Sequence, residues 1–212
     1  MRGFYAILDA TPELLAGGGG TLEARARALL AAHPCCLQLR AKAAGARPLE
    51  SAARTLLPLC RAAGVPFCVN DRLDVALAVG ADVVHLGQDD LPLADALVAR
   101  ARAGRPDLTI GLSTHNRAQA IAAVAGGADY IGLGPVFGTA SKRNPDPTVG
   151  LVGLAEICRE VGIPIVAIGG ITLERAPAVA AAGASAAAVI AAVTTAPDPT
   201  AAGRRIAAAF GR

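Results

Sequence analysis

Three side chains that could bind an anion alternate along one short stretch of the sequence: Gln38, Arg40 and Lys42. Residues two apart leave the same face of an extended strand, so all three would point to one side and the apolar residues between them to the other. Buried or half-buried cations are costly without anionic partners, and the chain offers few acidic residues in matching positions. We therefore expect this strand to form the floor of an anion-binding site. The alternative is an exposed edge strand with a solvated polar face.

Length and composition favour a single domain that spans residues 1–212. The chain is 53% hydrophobic, 17% charged and 3% aromatic, and its formal net charge is +3. So small a charge suits small phosphorylated molecules better than nucleic acid, which would require a basic stripe with interleaved aromatic residues. The uncharged, Ala-rich stretch at residues 176–193 is broken by Pro177 and Gly183, so we expect no membrane span.

The cysteines argue for a reducing compartment. They are odd in number and include no Cys-x-x-Cys pair, which is unlike a disulfide framework or a structural zinc site. Met1-Arg2-Gly3 leads directly into a strand-like run, so no signal peptide is expected. Together these features predict a cytoplasmic protein with buried, inert thiols.

Strand-like apolar runs alternate with Ala-rich helical segments along the chain. The eight runs are residues 4–8, 35–39, 67–69, 83–86, 109–112, 130–133, 165–168 and 187–190. Gly-Ala-Asp and Gly-x-Pro turns recur where a helix closes and the next strand opens. Eight strand–helix units within 212 residues predict a single-domain α/β fold, the (β/α)₈ TIM barrel. An open doubly wound sheet is the alternative, but its G-x-G-x-x-G turn after the first strand is missing.

Two carboxylates follow neighbouring strands of this predicted barrel. Asp71 and Asp90 come just after the third and fourth strands, and neighbouring strands lie ~4.8 Å apart, so both could share one cation. Oxygen ligands without a His or Cys cluster favour Mg²⁺. Asp71 could instead be a helix N-cap, and spacing alone does not separate Asp89 from Asp90 as the second ligand.

A second anion site is expected on the other side of the barrel mouth. Backbone N–H groups after strands seven and eight form the usual barrel phosphate site, and here those loops contain Gly169-Gly170 and Ile190-Ala191. The long loop after strand six adds two hydroxyls and a cation, Thr139, Ser141 and Lys142. Two anion sites imply two phosphorylated substrates, or one with phosphates at both ends.

The three histidines have different expected roles. His33 precedes a proline at the start of a strand and is expected to be structural. His85 lies inside a strand, where a hydrogen-bonded core residue and a functional residue are both open. His115 follows Ser113 in a loop at the mouth, where contact with substrate is also open.

These motifs together resemble the thiamine-phosphate synthase family, in order and spacing over nearly the whole chain. The matching segments are residues 38–42 (Gln-Leu-Arg-Ala-Lys), 69–71 (Val-Asn-Asp), 87–90 (Gly-Gln-Asp-Asp), 111–115 (Gly-Leu-Ser-Thr-His), 132–139 (Gly-Leu-Gly-Pro-Val-Phe-Gly-Thr), 141–142 (Ser-Lys) and 168–172 (Ile-Gly-Gly-Ile-Thr). The resemblance implies a (β/α)₈ barrel that joins 4-amino-2-methyl-5-hydroxymethylpyrimidine diphosphate to a carboxylated thiazole phosphate. The products would be thiamine phosphate, diphosphate and carbon dioxide.

The same resemblance implies a role for each matching position. The residues implied to bind the pyrimidine diphosphate are Gln38, Leu39, Arg40, Ala41, Lys42, Asn70, Ser113 and Lys142. Of these, Arg40, Ser113 and Lys142 are the implied catalytic residues. Thiazole-phosphate binding falls to Thr139, Ala140, Ser141, Gly170, Ile190 and Ala191. Mg²⁺ binding falls to Asp71 and Asp90. The chemistry requires no nucleophilic side chain, so positioning and electrostatics would provide the rate.

One position departs from the family pattern. The family usually has Ser where this chain has Ala191, so a hydroxyl contact to the thiazole phosphate is lost while the backbone N–H remains. One neutral hydrogen bond is worth about 1 kcal/mol, so we expect a modest loss of affinity.

Three other functions compete with the synthase. A thiazole tautomerase-like barrel would share the architecture and His115 but would need neither a metal nor a diphosphate site. A non-catalytic thiamine phosphate-binding barrel would be expected to have eroded metal ligands or to lack Lys142. Another phosphosugar lyase or isomerase would usually place a Lys or Glu base inside a strand. Partners are expected to be small molecules in each case, and self-association into a homo-oligomer is allowed.

Overall fold

The computed structural model describes residues 1–16, 19–138 and 147–212. Eight parallel strands in these ranges close into a barrel, each pairing with its neighbours in chain order and the eighth with the first. The strands are β1 (Gly3–Asp9), β2 (Cys36–Arg40), β3 (Phe67–Asn70), β4 (Val83–Leu86), β5 (Thr109–Thr114), β6 (Tyr130–Leu133), β7 (Ile165–Ile168) and β8 (Ala186–Val189). The predicted (β/α)₈ barrel is confirmed.

Ten helices occur within the described ranges and follow the strands around the barrel. They are α1 (Pro12–Ala16), α2 (Gly19–Leu30), α3 (Ala46–Ala62), α4 (Leu73–Val79), α5 (Leu93–Arg102), α6 (Arg117–Ala125), α7 (Gly150–Glu160), α8 (Ala176–Ala181), α9 (Ala191–Thr194) and α10 (Pro199–Ala209). The short helices α1 and α9 were not predicted from the sequence, because four or five residues carry too little periodicity to be recognised. In the described part of the chain, no helix is both long and apolar enough to span a membrane.

Alternation along each strand separates two apolar regions. Leu37 and Leu39 of β2 are fully buried against the surrounding helices. The residues that face inward form a separate cluster that fills the centre of the barrel. Its buried members are Tyr5, Ile7, Cys36, Cys68, Val83, Tyr130, Val166, Ala186 and Ala188. The barrel is therefore a packed core whose polar residues lie toward the carboxyl ends of the strands.

Several helices begin or end at residues that are typical of helix ends. Asn116 accepts a hydrogen bond from Gln119 N at 3.0 Å and begins α6, and Asp198 accepts one from Ala201 N at 2.9 Å and begins α10. Gly80 ends α4 in the left-handed conformation, with φ of +73°.

Thr172 looks like a helix N-cap in the sequence, but no helix begins there. Its hydroxyl accepts a hydrogen bond from Arg175 N at 3.3 Å, but helix α8 begins only at Ala176, with Arg175 as its N-cap residue. The hydroxyl thus closes a local turn ahead of the helix, and the sequence pattern of such a turn is the same as that of a cap.

Candidate active site

The second strand brings a cation to the carboxyl end of the barrel. Arg40 is the last residue of β2, and its Nη1 lies 2.5 Å from Oδ1 of Asp9, the last residue of β1. The two residues are partners in the parallel register, so the sheet itself places them side by side. The cation is thus fixed in direction by a carboxylate at the mouth.

Lys42 lies beyond the end of this strand and is more exposed than the sequence suggested. Strand β2 stops at Arg40, so the alternation that was extended to Lys42 does not hold that far. The Lys42 side chain is 61% exposed, and its Nζ lies 3.9 Å from Oδ2 of Asp71. Lys42 therefore reaches across to the neighbouring strand end, where a long flexible side chain is free to close on a ligand.

The backbone at Asp71 adopts an unusual conformation for a non-glycine residue. Its φ is +64°, in the left-handed region that Asn and Asp tolerate better than most residues. Asp71 N donates to His85 O at 2.8 Å, which ties the end of β3 to β4. The N-cap position of α4 is Arg72, so the simple capping role considered for Asp71 does not apply. The carboxylate is directed toward the mouth instead.

The Asp71 carboxyl has a second carboxyl next to it. Burial and a hydrogen bond with Asp90 together raise the pKa of Asp71 to about 6, against the opposing charges of Lys42 and Arg40. Two carboxylates this close repel each other when both are ionised. A cation between them would relieve that repulsion.

Asp90 is held in place by its own loop. Its Oδ2 accepts a hydrogen bond from Gly87 N at 2.6 Å, and a Cβ at Gly87 would lie 2.9 Å from the same oxygen. Asp89 is exposed, whereas Asp90 is half-buried and within hydrogen-bonding range of Asp71. The geometry therefore separates two residues that spacing alone could not.

The donor set fits Mg²⁺ better than a transition metal. Among the described residues, no group of three or more His, Cys, Asp or Glu side chains is arranged to hold a metal ion. Mg²⁺ commonly binds through one or two carboxylates and completes its shell with water and substrate phosphates. Asp71 and Asp90 are the two carboxylates that could hold such an ion.

A continuous chain of hydrogen bonds lies inside the barrel, beneath the rim formed by Arg40, Lys42, Asp71 and Asp90. Gln38 Nε2 donates to Tyr5 Oη at 3.0 Å, and Tyr5 Oη lies 3.2 Å from Tyr130 Oη. Tyr130 Oη lies 2.9 Å from His85 Nδ1, and His85 Nε2 lies 3.0 Å from Ser113 Oγ. Three side chains thus link Gln38 to Ser113, and the five members of the chain lie on five different strands.

Two glycines make room for the rings in this chain. A Cβ at Gly111 would lie 2.1 Å from Cζ of Tyr130, and a Cβ at Gly132 would lie 3.0 Å from Cε1 of His85. Of the two roles considered for His85, the structure shows the hydrogen-bonded interior residue. Burial lowers the pKa of His85 to about 4, so the ring is neutral near pH 7.

The remaining polar residues on this side frame the same space. Asn70, at 8% exposure, ends β3 beside His85 in the register, and Gln88 Nε2 donates to the backbone oxygen of Ser113 at 2.5 Å. Leu39 and Ala41 have buried side chains in the outer core, so only their backbone atoms face the mouth region.

The predicted second anion site lies on the β7–β8 side of the barrel. Gly170 follows β7 with φ of +61°, and a Cβ there would lie 2.4 Å from the backbone oxygen of Gly138. Ile190 precedes α9, in which Ala191 is the exposed first residue. The other residues predicted for this site or for the leaving group, Thr139, Ala140, Ser141 and Lys142, lie outside the described residues.

The two other histidines are placed differently. His115 N donates to Gln119 Oε1 at 2.7 Å, and its Nδ1 lies 2.6 Å from Gly134 O, so the residue ties β5 to the segment after β6. His33 is exposed, with φ of +48°, in the turn before β2.

Sequence reasoning missed three participants in the site. Tyr5 and Tyr130 lie in predicted strands with no expected contact, and Asp9 follows the first predicted strand with no expected partner. The missing signal was the register, because Asp9 faces Arg40 only when β1 and β2 pair as they do here.

Together the fold and the rim define a class of protein: a (β/α)₈-barrel enzyme whose mouth combines cations, an acidic pair and a hydroxyl for binding an anionic substrate. Comparison with known proteins narrows this class. A family model described as thiamine monophosphate synthase matches residues 4–193.

Named relatives cover almost the entire chain. The thiamine-phosphate synthase of Laribacter hongkongensis is 47% identical over 207 residues, which is 98% of this chain and 94% of the relative. That of Methanospirillum hungatei is 46% identical over 205 residues, or 97% and 96%. The solved thiamine phosphate pyrophosphorylase of Pyrococcus furiosus is 36% identical with a TM-score of 0.84, covering 99% of this chain and 96% of that one. The chain belongs to the thiamine monophosphate synthase family.

Proposed function

We propose that this chain, acting as one catalytic domain, joins a pyrimidine diphosphate to a thiazole phosphate and releases diphosphate, forming thiamine phosphate. The observation that carries the proposal is the collection of Arg40, Lys42, the Asp71–Asp90 pair and Ser113 at adjacent strand ends. The matching names of relatives at 46–47% identity support the same reaction.

The leaving group would be bound by the cationic side of the mouth. Arg40 is held by Asp9 and Lys42 reaches toward Asp71, so both cations lie near the place where the acidic pair would hold Mg²⁺. The chemistry that Mg²⁺ supplies when bound is neutralisation of charge on the diphosphate oxygens. As the C–O bond breaks, the departing charge is met by Arg40 and Lys42. Lys142 is proposed to join them on the basis of the sequence.

The remaining fragment is a pyrimidine methylene cation, which its electron-rich aminopyrimidine ring stabilises. Gln38, Asn70 and Ser113 are proposed to orient this ring by hydrogen bonds. The burial of Gln38 and Asn70 and the contact of Ser113 with His85 support this role. The thiazole nitrogen then donates its electron pair to the methylene carbon and forms the new C–N bond. When the thiazole is carboxylated, its bond to the carboxylate then breaks, carbon dioxide leaves, and the ring carbon takes up a proton from water. No protein nucleophile takes part, so the residues bind and orient.

The thiazole phosphate is proposed to bind across the mouth, at Gly170 and the Ile190-Ala191 pair. Gly170 must be glycine because a side chain there would enter the Gly138 carbonyl. Thr139, Ala140 and Ser141 are proposed to complete this site. We further propose that the enzyme works in the cytoplasm and can form a homo-oligomer.

The proposed function is tested by a turnover assay with both substrates, each substrate omitted in turn, with and without Mg²⁺. Thiamine phosphate should form only when all three components are present. Conversion of the thiazole alone would instead indicate a tautomerase. Tight thiamine phosphate binding without turnover would indicate a sensor.

A further inference from the structure

We propose that His85 is a positioning residue that fixes the direction of the Ser113 hydroxyl, so that its hydrogen is available to the pyrimidine substrate. The inference rests on the proposed function only for the identity of that ligand. It goes beyond the residues at the rim, because it assigns a role to side chains inside the barrel that do not touch substrate.

In the interior chain of hydrogen bonds, the contact of Gln38 determines which atom is the donor at the next contact. Gln38 Nε2 is a donor only, so Tyr5 Oη accepts at 3.0 Å. A tyrosine hydroxyl has a single hydrogen, and the next oxygen along the chain is Tyr130 Oη at 3.2 Å. We take Tyr5 to donate to Tyr130, whose oxygen is a stronger acceptor than the nearby sulfur of Cys68.

The same count fixes the tautomer of His85. Tyr130 Oη accepts from Tyr5, so its own hydrogen goes to His85 Nδ1 at 2.9 Å. A neutral imidazole has one N–H, which must then be on Nε2. Within the described part of the chain neither ring nitrogen contacts a carboxylate, and each lies within hydrogen-bonding distance of a hydroxyl oxygen. The neutral ring satisfies both contacts.

The tautomer of His85 determines the direction of the Ser113 hydroxyl hydrogen. His85 Nε2–H donates to Ser113 Oγ at 3.0 Å, so the Ser113 hydrogen cannot point back at the ring. Ser113 is half-buried at the end of β5, next to the open mouth. Its hydrogen is therefore directed to a ligand acceptor, such as a pyrimidine ring nitrogen.

Packing keeps the ring from turning over. A Cβ at Gly132 would lie 3.0 Å from His85 Cε1 and 3.2 Å from Nε2, so the imidazole fills the space that this glycine leaves. Tyr130 packs beside it with ring centroids 5.5 Å apart. A flip of the imidazole would break both hydrogen bonds at once, since the two nitrogens have different partners.

Matched variants of His85 separate orientation from packing. His85→Gln keeps an N–H donor near the position of Nε2, whereas His85→Asn keeps an acceptor near Nδ1 and loses that donor. We expect His85→Asn to raise KM for the pyrimidine diphosphate about fivefold, as for one lost hydrogen bond, with KM for the thiazole phosphate unchanged. His85→Gln should recover most of the loss.

A double-mutant cycle tests whether His85 acts through Ser113. In a Ser113→Ala background, His85→Asn should cause no further rise in KM for the pyrimidine diphosphate. An unchanged effect in that background, or equal effects on both substrates, would show a general packing role and overturn the proposal.

The decisive measurement needs neither substrate nor turnover. The ¹⁵N shifts of the histidine rings, recorded on the intact unliganded protein near pH 7, report which nitrogen of each ring bears hydrogen. His85 is identified among the three histidines as the signal missing in His85→Gln. We expect the Nε2–H tautomer. An Nδ1–H tautomer or an imidazolium would overturn the proposal, even if the enzyme makes thiamine phosphate.

Discussion

Asp9 Oδ1 and Arg40 Nη1 lie 2.5 Å apart at the carboxyl ends of two adjacent, register-matched strands. The pair balances the charge of a half-buried cation, and it places Asp9 beside the proposed diphosphate site. The pair is partly exposed, so its effect on folding is expected to be small, within about 1 kcal/mol.

Replacement of Asp9 should therefore affect binding more than folding. Asp9→Ala leaves Arg40 without the group that fixes its direction, and we expect KM for the pyrimidine diphosphate to rise about fivefold, as for one lost hydrogen bond. Asp9→Asn keeps an oxygen acceptor and should show less than half of that effect. Steady-state kinetics with each substrate varied in turn checks this. A rise confined to the thiazole phosphate would contradict the assignment.

The ionised Asp71 carboxylate should destabilise the folded state when no metal is bound, and it should be necessary for turnover when Mg²⁺ is present. Its pKa is raised to about 6, so ionisation disfavours the folded state. This destabilisation is absent at pH values below the unfolded carboxyl pKa of about 4, grows through pH 6 and is complete above it. Asp71→Asn tolerates the positive φ and should raise the unfolding free energy at pH 8 by roughly 1–3 kcal/mol in chelator.

The same variant should lose most turnover at low Mg²⁺. Asp71→Ala is a poorer test, because alanine tolerates the left-handed backbone less well than Asn. Denaturant unfolding at pH 4 and pH 8, combined with a Mg²⁺ titration of activity, checks both effects. Wild-type turnover by Asp71→Asn or Asp90→Asn in chelator would rule out the metal assignment.

Ala191→Ser should improve thiazole-phosphate binding. Ala191 is the exposed first residue of α9, so a hydroxyl can be added there without displacing a neighbour. One new neutral hydrogen bond of about 1 kcal/mol would lower KM for the thiazole phosphate about fivefold. KM for the pyrimidine diphosphate should not change, and parallel changes in both constants would place Ala191 elsewhere.

Lys142 should act on the leaving group rather than on substrate binding. A cation directed at charge that develops during bond breaking stabilises the transition state more than the ground state. Lys142→Ala should lower kcat by ~10²-fold, with a smaller change in affinity for the diphosphate substrate. Single-turnover rates and calorimetric titration measure the two effects separately. Arg143→Ala, the adjacent charge, is the matched control, and equal losses in both variants would indicate general electrostatics.

Gly111 should be intolerant of any side chain. A Cβ there would lie 2.1 Å from the Tyr130 ring, which is fixed by hydrogen bonds to Tyr5 and His85. Gly111→Ala should lower the unfolding free energy by about 1–3 kcal/mol or more through overpacking. Gly162→Ala is the control, because nothing lies within 4 Å of its Cβ position, and it should be neutral within about 0.5 kcal/mol. Denaturant midpoints compare the two.

The barrel could be predicted because its signals are local. Apolar runs and Gly-Ala-Asp turns recur at a regular spacing, and the predicted bounds of β4, β6 and β7 coincide with the observed strands. The polar strand ends could be predicted for the same reason. In a parallel barrel, position along the strand alone decides which residues reach the mouth.

The interior chain could not be predicted, because its members meet only through register. Tyr5 and Tyr130 are 125 residues apart and come together across the barrel centre. The motif Gly132-Leu133-Gly134 illustrates the same limit. Its first glycine leaves space for His85, and a Cβ at Gly134 would lie 2.1 Å from Ile168 O, reasons that no local pattern contains.

The most direct test of the account is the stoichiometry of one reaction followed by ³¹P NMR. The protein is mixed with the pyrimidine diphosphate, the carboxylated thiazole phosphate and Mg²⁺, and the phosphorus signals are recorded with time. The account predicts equal amounts of thiamine phosphate and free diphosphate, and no product when Mg²⁺ is removed by chelator. Release of diphosphate without thiamine phosphate, or thiamine phosphate formed at the same rate in chelator, would contradict it.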